Sequence, residues 1–258
     1  MGRTGKTAAA ADGADYGLLP RDKTFSQLLP AYLLPYAAYV GLGSLPTGLL
    51  NPVLNGCVRT VAVAALLWSF RKSYRFGPKL TLRHMLIAIG GAVAALALWV
   101  LAYRFSLALP MWRSHLITEG PAPSLAYVMI RAVNSALLVP VFEELFCRAY
   151  LGEFLFGLPA DRSGPGDFLA RLGRRMDAMP TALSAPPLSV YAVVGAAALF
   201  SLGHDMSAWI PAMLYFLFTS WLYSRTRSFR VCVAVHGLVN VAIAGLVYGF
   251  PQLRFLWF

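Results

Sequence analysis

Residues 84–108 read HMLIAIGGAVAALALWVLAYRFSLA. A run of this length and apolarity is enough to cross a hydrocarbon core, which needs about 20 such residues as a helix. Similar blocks recur along the chain at 26–46, 54–70, 124–157, 188–204, 208–224 and 231–249. The apolar residues come in long runs rather than alternating, the pattern of bilayer helices and not of strands. Across all 258 residues 58% are hydrophobic and only 13% are charged, about half the charged share of a soluble domain. The fold class that follows is all-α, a polytopic membrane bundle of about seven transmembrane helices (six to eight).

The block at 124–157 is too long for one straight crossing and holds Pro140 in its interior. A kinked or tilted helix, or an interfacial lead-in, would absorb the excess. Pro30 and Pro35 predict an irregular first helix.

Charge in the connections gives the orientation. The 71–83 connection carries Arg71, Lys72, Arg75, Lys79 and Arg83, and the 225–230 turn carries Arg225, Arg227 and Arg230. The 158–187 connection adds Arg162, Arg171, Arg174 and Arg175, whereas 47–53 and 205–207 have no Lys or Arg and 109–123 has only Arg113. With the N-terminus inside, every basic connection is cytoplasmic. This placement accounts for the net charge of +11 without nucleic acid as a partner; the expected surroundings are the lipid bilayer. Residues 1–24 lack an apolar core behind their early positives and read as a flexible cytoplasmic tail, leaving 25–258 as a single transmembrane domain. In the insertion at 158–187, Asp167 is a candidate helix cap, and Phe168, Leu169, Leu172, Met176 and Met179 would share one face away from Arg171, Arg174 and Arg175. That pattern predicts a helix lying on the cytoplasmic leaflet. Cys57, Cys147 and Cys232 show no paired spacing, which argues against a disulfide scaffold or a thiolate metal site.

Ionisable residues within membrane helices are costly and mark function. Three clusters stand out: Glu143, Glu144 and Arg148; Phe200 and His204; His236 and Asn240. Glu144 and Arg148, four apart, share a helix face and read as a structural ion pair. Glu143 is rotated about 100° from Glu144 on a regular helix, so its charge escapes the same arginine. It suits a general base acting on water. His204 would orient that water or bind a metal, with Phe200 as an aromatic wall one turn away. His236 and Asn240 would donate to an oxyanion. Alternatively Glu143, His204 and His236 would hold a divalent metal such as zinc. His84 and His115, at helix ends or in loops, carry no such expectation.

In this order and spacing, Glu143-Glu144-x-x-x-Arg148, Phe200-x-x-x-His204 and His236-x-x-x-Asn240 resemble the three motifs of the CAAX protease and bacteriocin-processing (CPBP, or Abi) family. Leu222 to Phe229 resembles the lead into the last of them. The similarity covers about residues 125–245; the first three helices match only in being hydrophobic, and the 158–187 insertion departs from compact members. The layout also resembles bacterial branches associated with exosortase systems. The resemblance implies an intramembrane endopeptidase with Glu143 as base, His204 beside the water and His236 with Asn240 as the oxyanion pair, by a glutamate-type or metal-dependent route. It implies a peptide or membrane-protein substrate and a place in the bacterial inner (plasma) membrane. Two other classes stand beside it: a catalytically silent scaffold or immunity factor, and an ion or metal transporter.

One expectation is geometrical. By this topology His204 lies ~24 Å, and His236 only ~9 Å, from the cytoplasmic start of its helix at 1.5 Å per residue. A shared site requires either a fifth helix that begins outside the bilayer or a turn at 204–210 that dips inward around a cavity.

Overall fold

Pro140 has no N–H and its ring excludes the carbonyl one turn back, and the longest apolar block is built around that defect. In a computed structural model, which describes residues 18–46, 48–108, 124–158, 168–180 and 189–250 together with Leu253 and Leu256, residues Leu125–Gly157 form one continuous helical stretch, α4. It is not a regular α-helix. Wide, π-type turns occupy Asn134–Leu138, just before the proline, and Glu144–Leu151, just after Glu143. The N–H of Val139 reaches back five residues to the carbonyl of Asn134, and that of Gly152 to Cys147. Such wide turns re-register hydrogen bonds that a proline interrupts, and they gather at functional positions.

The other helices are α1 (Phe25–Gly43), α2 (Pro52–Ser69), α3 (Leu82–Ala108), α5 (Phe168–Asp177), α6 (Val190–Leu202), α7 (Trp209–Thr226) and α8 (Phe229–Gly249). No strand occurs among the described residues. The chain is a polytopic helical membrane bundle: α2, α3, α4 and α8 are each long and apolar enough to cross a bilayer by themselves. α1 starts on a capping box, Thr24 accepting from the Gln27 N–H while the Gln27 side chain accepts from Thr24, and runs on through Pro30 and Pro35. Residues 1–17 lie outside the described residues. Leu18 and Leu19, at the end of the presumed tail, are buried against α1 and α4.

α4 lies centrally, touching α1, α2, α6 and α8, while α3 packs along α7 and α8. Gly91 of α3 permits the last approach, because a Cβ there would come within 2.9 Å of Leu222 and 3.2 Å of Val235. α7 and α8 are joined by two residues, with Arg227 in the left-handed conformation (φ 52°) and Ser228 capping α8.

α6 has 13 residues and rises only ~20 Å, short of a ~30 Å hydrocarbon core. The fifth apolar block therefore does not cross on its own. The turn that follows, with the short 3₁₀ segment Met206–Ala208, packs on Trp99 and Tyr103 of α3 through His204 and Ser207, while Gly203, Asp205 and Met206 are exposed. His204 is carried by this turn rather than by the helix itself.

The helix expected in the insertion is α5, but its faces differ from the sequence pattern. Leu172 and Met176 pack onto the bundle, while Phe168, Leu169 and Met179 are exposed. Arg175, expected on the polar face, turns inward instead. It donates to the carbonyls of Phe154 (3.1 Å) and Glu153 (2.7 Å) and lies over the Phe25 ring, and burial lowers its pKa. A long side chain can bury its stem and satisfy its head on backbone carbonyls, so this arginine clamps α5 to the bundle. Asp167, the expected cap, lies outside the described residues.

Candidate active site

The wide turn after Glu143 changes which way the two glutamates face. Regular α-geometry predicts that they diverge, whereas here both reach the same imidazole. Oε2 of Glu143 is 3.6 Å from Nε2 of His236, and Oε1 of Glu144 is 3.6 Å from its Nδ1. His236 of α8, 4% exposed, is thus held between two carboxylates.

Their other partners separate them. Glu144, fully buried, pairs with Arg148 through two guanidinium nitrogens. Arg148 also donates to Thr219 (2.7 Å) and Ser220 (2.8 Å) of α7, and its face lies over Phe216. A buried ion pair is tolerated when its remaining donors are satisfied in this way. Glu143 has no such support: its Oε2 is buried without a hydrogen-bond partner, yet its side chain lines a cavity.

His204 reaches that cavity from the turn after α6. Its Nδ1 is 2.9 Å from the carbonyl oxygen of Phe200. A carbonyl only accepts, so Nδ1 is assigned the proton, and in the neutral ring Nε2 is left as an acceptor. Phe200 supports the ring from one side, centroids 4.7 Å apart, and Trp99 from another at 5.9 Å. The turn itself is held by the Trp209 indole donating to the His204 carbonyl and by the Tyr103–Ser207 hydroxyl pair at 2.7 Å. Gly203 has no room for a Cβ, which would strike the Tyr36 hydroxyl of α1.

Asn240, one turn beyond His236, donates to the carbonyl of Ser135 at 2.6 Å. That carbonyl belongs to the first wide turn of α4. Next to it, the Ala136 carbonyl faces Gly237, where a Cβ would come within 2.7 Å. The proline-induced irregularity of α4 thus exposes carbonyls toward α8, and α8 meets them with an amide and a glycine.

The cavity has a volume of about 530 Å³. Glu143, His204, His236 and Asn240 all line it, while Glu144, Arg148 and Phe200 stand behind. The rest of its wall includes Tyr39 of α1, Arg59 of α2, Trp99 of α3 and Arg131 of α4.

Residues 125–242 match the family profile described as Type II CAAX prenyl endopeptidase Rce1-like, a little under half of the chain. Over these residues the chain is similar to the CAAX proteases, and the match supports placing it with the CPBP family. No curated protein and no solved structure matches it. The match supports an intramembrane CAAX protease kind of function, with the peptide substrates and integral membrane setting that such a family implies. The matched region begins at α4 and ends inside α8, so it contains the three motifs and excludes α1–α3.

Among the described residues no three His, Cys, Asp or Glu side chains form a group that could hold a metal ion.

Arg59 and Arg131 were not singled out on sequence, although each stands inside an apolar block and the rule that marks Glu143 marks them equally. Tyr39 and Trp99 carried no signal, since aromatic residues in membrane helices are ordinary.

Proposed function

We propose that this CAAX-protease-like chain hydrolyses a peptide bond with water activated by Glu143, without a metal in the step. The observation that carries the reading is the Glu143 carboxylate, 3.6 Å from His236, unpaired on Oε2 and lining the same cavity as His204. A carboxylate whose neighbour carries the local arginine is free to take a proton. Glu143 removes a proton from water oriented by Nε2 of His204, and the oxygen attacks the peptide carbonyl. His236 and the second N–H of Asn240 donate to the resulting oxyanion. Collapse breaks the C–N bond, and Glu143 returns its proton to the leaving amine.

The basic connections at 71–83 and 225–230 support an N-in orientation. The turn at 203–208 lines the cavity together with Glu143, and hydrolysis at membrane depth needs such an aqueous space.

Cells expressing Glu143→Gln, followed for accumulation of unprocessed membrane proteins, test the reading. Normal processing by that variant would overturn it in favour of a silent scaffold or immunity factor. Chelation and metal analysis of the purified, active protein test the metal-free step; activity that disappears with bound zinc and returns with it would replace that step.

A further inference from the structure

The residues that line the cavity gather toward one end of the bundle. Among the described residues, α1 contributes Tyr39 and Gly43 from its last turns, and α2 contributes the stretch from Pro52 to Arg59 at its start. α4 lines the cavity from Tyr127, near its beginning, down to Glu143, and α8 from His236 to Ile243.

The basic connections lie at the opposite end. Arg71 and Lys72 follow the last turn of α2, and Arg225 and Arg227 precede the first turn of α8. Contacts draw these segments together with the start of α1 and the end of α5. The Tyr74 hydroxyl donates to the Ala31 carbonyl at 2.7 Å, the Phe76 ring packs on Phe229 at 5.9 Å, and the Phe25 N–H donates to the Ala178 carbonyl at 3.0 Å. None of the arginines or lysines of these connections lines the cavity.

Rim and floor follow the same division. Gly43, Leu45, Pro52 and Asp205 line the cavity and are exposed, whereas His236 is 4% exposed. An exposed carboxylate at the rim belongs beside water rather than lipid. From Tyr127 to Glu143, α4 advances about 24 Å at 1.5 Å per residue. An extended peptide covers that depth with about seven residues, which a folded domain cannot do.

We propose that the site is entered from the extracytoplasmic end of the bundle, so that its substrates are exported or membrane-anchored polypeptides offering an extended segment on that side. This rests on the peptide-hydrolase reading, which says that a peptide enters, and on the basic connections being cytoplasmic. The path runs past α1 and α2, which lie outside the family match.

The first arm of the test uses the full chain carrying Glu143→Gln and Cys57→Ser, which leaves only the buried Cys147 and Cys232 as thiols. Ser135→Cys then places a thiol in the cavity, beside the carbonyl that Asn240 binds. A charged, membrane-impermeant methanethiosulfonate should modify it about tenfold or more faster in right-side-out than in inside-out bacterial membrane vesicles, because a charge does not cross the bilayer readily. Lys72→Cys, exposed in its connection, should show the reverse. If Ser135→Cys does not fold, Leu50→Cys on the same wall takes its place. Modification that is faster from the cytoplasmic side, equal from both sides, or absent from both overturns the proposal. So does Lys72→Cys labelled from outside.

The second arm keeps Glu143 and carries Leu45→Cys with Cys57→Ser. A polyethylene-glycol maleimide coupled to the rim from outside intact spheroplasts should abolish membrane-protein processing relative to the same cells before labelling. Undiminished processing past an occupied rim overturns entry from that end. Because thiol labelling does not depend on turnover, failure of the first arm leaves the hydrolytic reading untouched. Conversely, normal processing by Glu143→Gln cells sinks the mechanism whatever the labelling shows.

Discussion

The two sides of the cavity are finished to different degrees. On the side built by α4, α6 and α8, most polar groups already have protein partners. Glu144 and Arg148 are joined to each other and to α7, Asn240 to Ser135, and His204 to the Phe200 carbonyl. The side built by α1–α3 presents Arg59 and Trp99, whose Nε and Nε1 are buried without hydrogen-bond partners. A catalytic constellation gains from being fixed before substrate arrives, whereas a recognition wall is completed by what it binds. Glu143 and His236 are the informative exceptions on the finished side, since Oε2 of the one and Nδ1 of the other are also buried without hydrogen-bond partners. The contrast predicts that changes on the first side alter rate or folding for every substrate, and that changes on the second alter which substrate is taken.

The largest effect should come from Glu143→Gln. The amide keeps shape and burial but cannot take a proton, and a positioned base contributes about 10²- to 10⁴-fold. Peptide hydrolysis by purified protein should drop by at least that range, with the melting temperature nearly unchanged. A variant within tenfold of the parent would show that the unpaired carboxylate is not the base, and the contrast between the two sides would lose its centre.

Arg148→Met should act on folding instead. It strands Glu144, 1% exposed, without a cation, a loss of about 3–5 kcal/mol. Thermal unfolding in detergent measures it. The double variant Glu144→Gln/Arg148→Met should recover a large part, because the penalty lies in the uncompensated charge. If the double variant is no more stable than Arg148→Met, the pair matters for something other than charge balance.

These residues were legible in the sequence for a physical reason. Charges amid apolar helices are conspicuous, and spacings of four put Glu144 with Arg148 and His236 with Asn240 on shared faces. The seven apolar blocks likewise match seven helices, α5 lying apart in the insertion. What was not legible depended on departures from regular helix geometry. The divergence expected of Glu143 and Glu144 assumed regular α-turns, and the wide turn beginning at Glu144 cancels it. Pro140 announced a kink, but not that the hydrogen bonds before it would re-register and free the Ser135 carbonyl for Asn240. Arg59 illustrates a different limit. Its type and place were visible, but only the packing of α1 against α2 shows that no acid among the described residues pairs with it.

Gly237→Ala tests whether that irregular stretch matters. The added methyl would press on the Ala136 carbonyl, which is backbone and cannot rotate away, at a cost of about 1–3 kcal/mol. Because α8 carries both His236 and Asn240, hydrolysis of all peptides should fall together, with the preference among them preserved. A change in preference alone would mean that α8 shares in recognition and that the two sides are not separate.

The smallest expected effect is the most discriminating, because Tyr103 belongs to the second side but touches the first. Its hydroxyl pairs with Ser207 in the turn that carries His204, and both groups are buried. Tyr103→Phe removes the hydrogen bond to Ser207 and leaves the Ser207 hydroxyl its 3.1 Å contact with Asp205, and the loss of that bond should cost about 1 kcal/mol of stability. If α3 serves the reaction by fixing the turn, kcat should fall a few-fold while KM holds, since the wall at Arg59 is untouched. A rise in KM with kcat unchanged would instead place Tyr103 with the recognition residues. In that case the boundary between the finished and unfinished sides would run along the turn itself, with His204 set in place only when substrate fills the cavity.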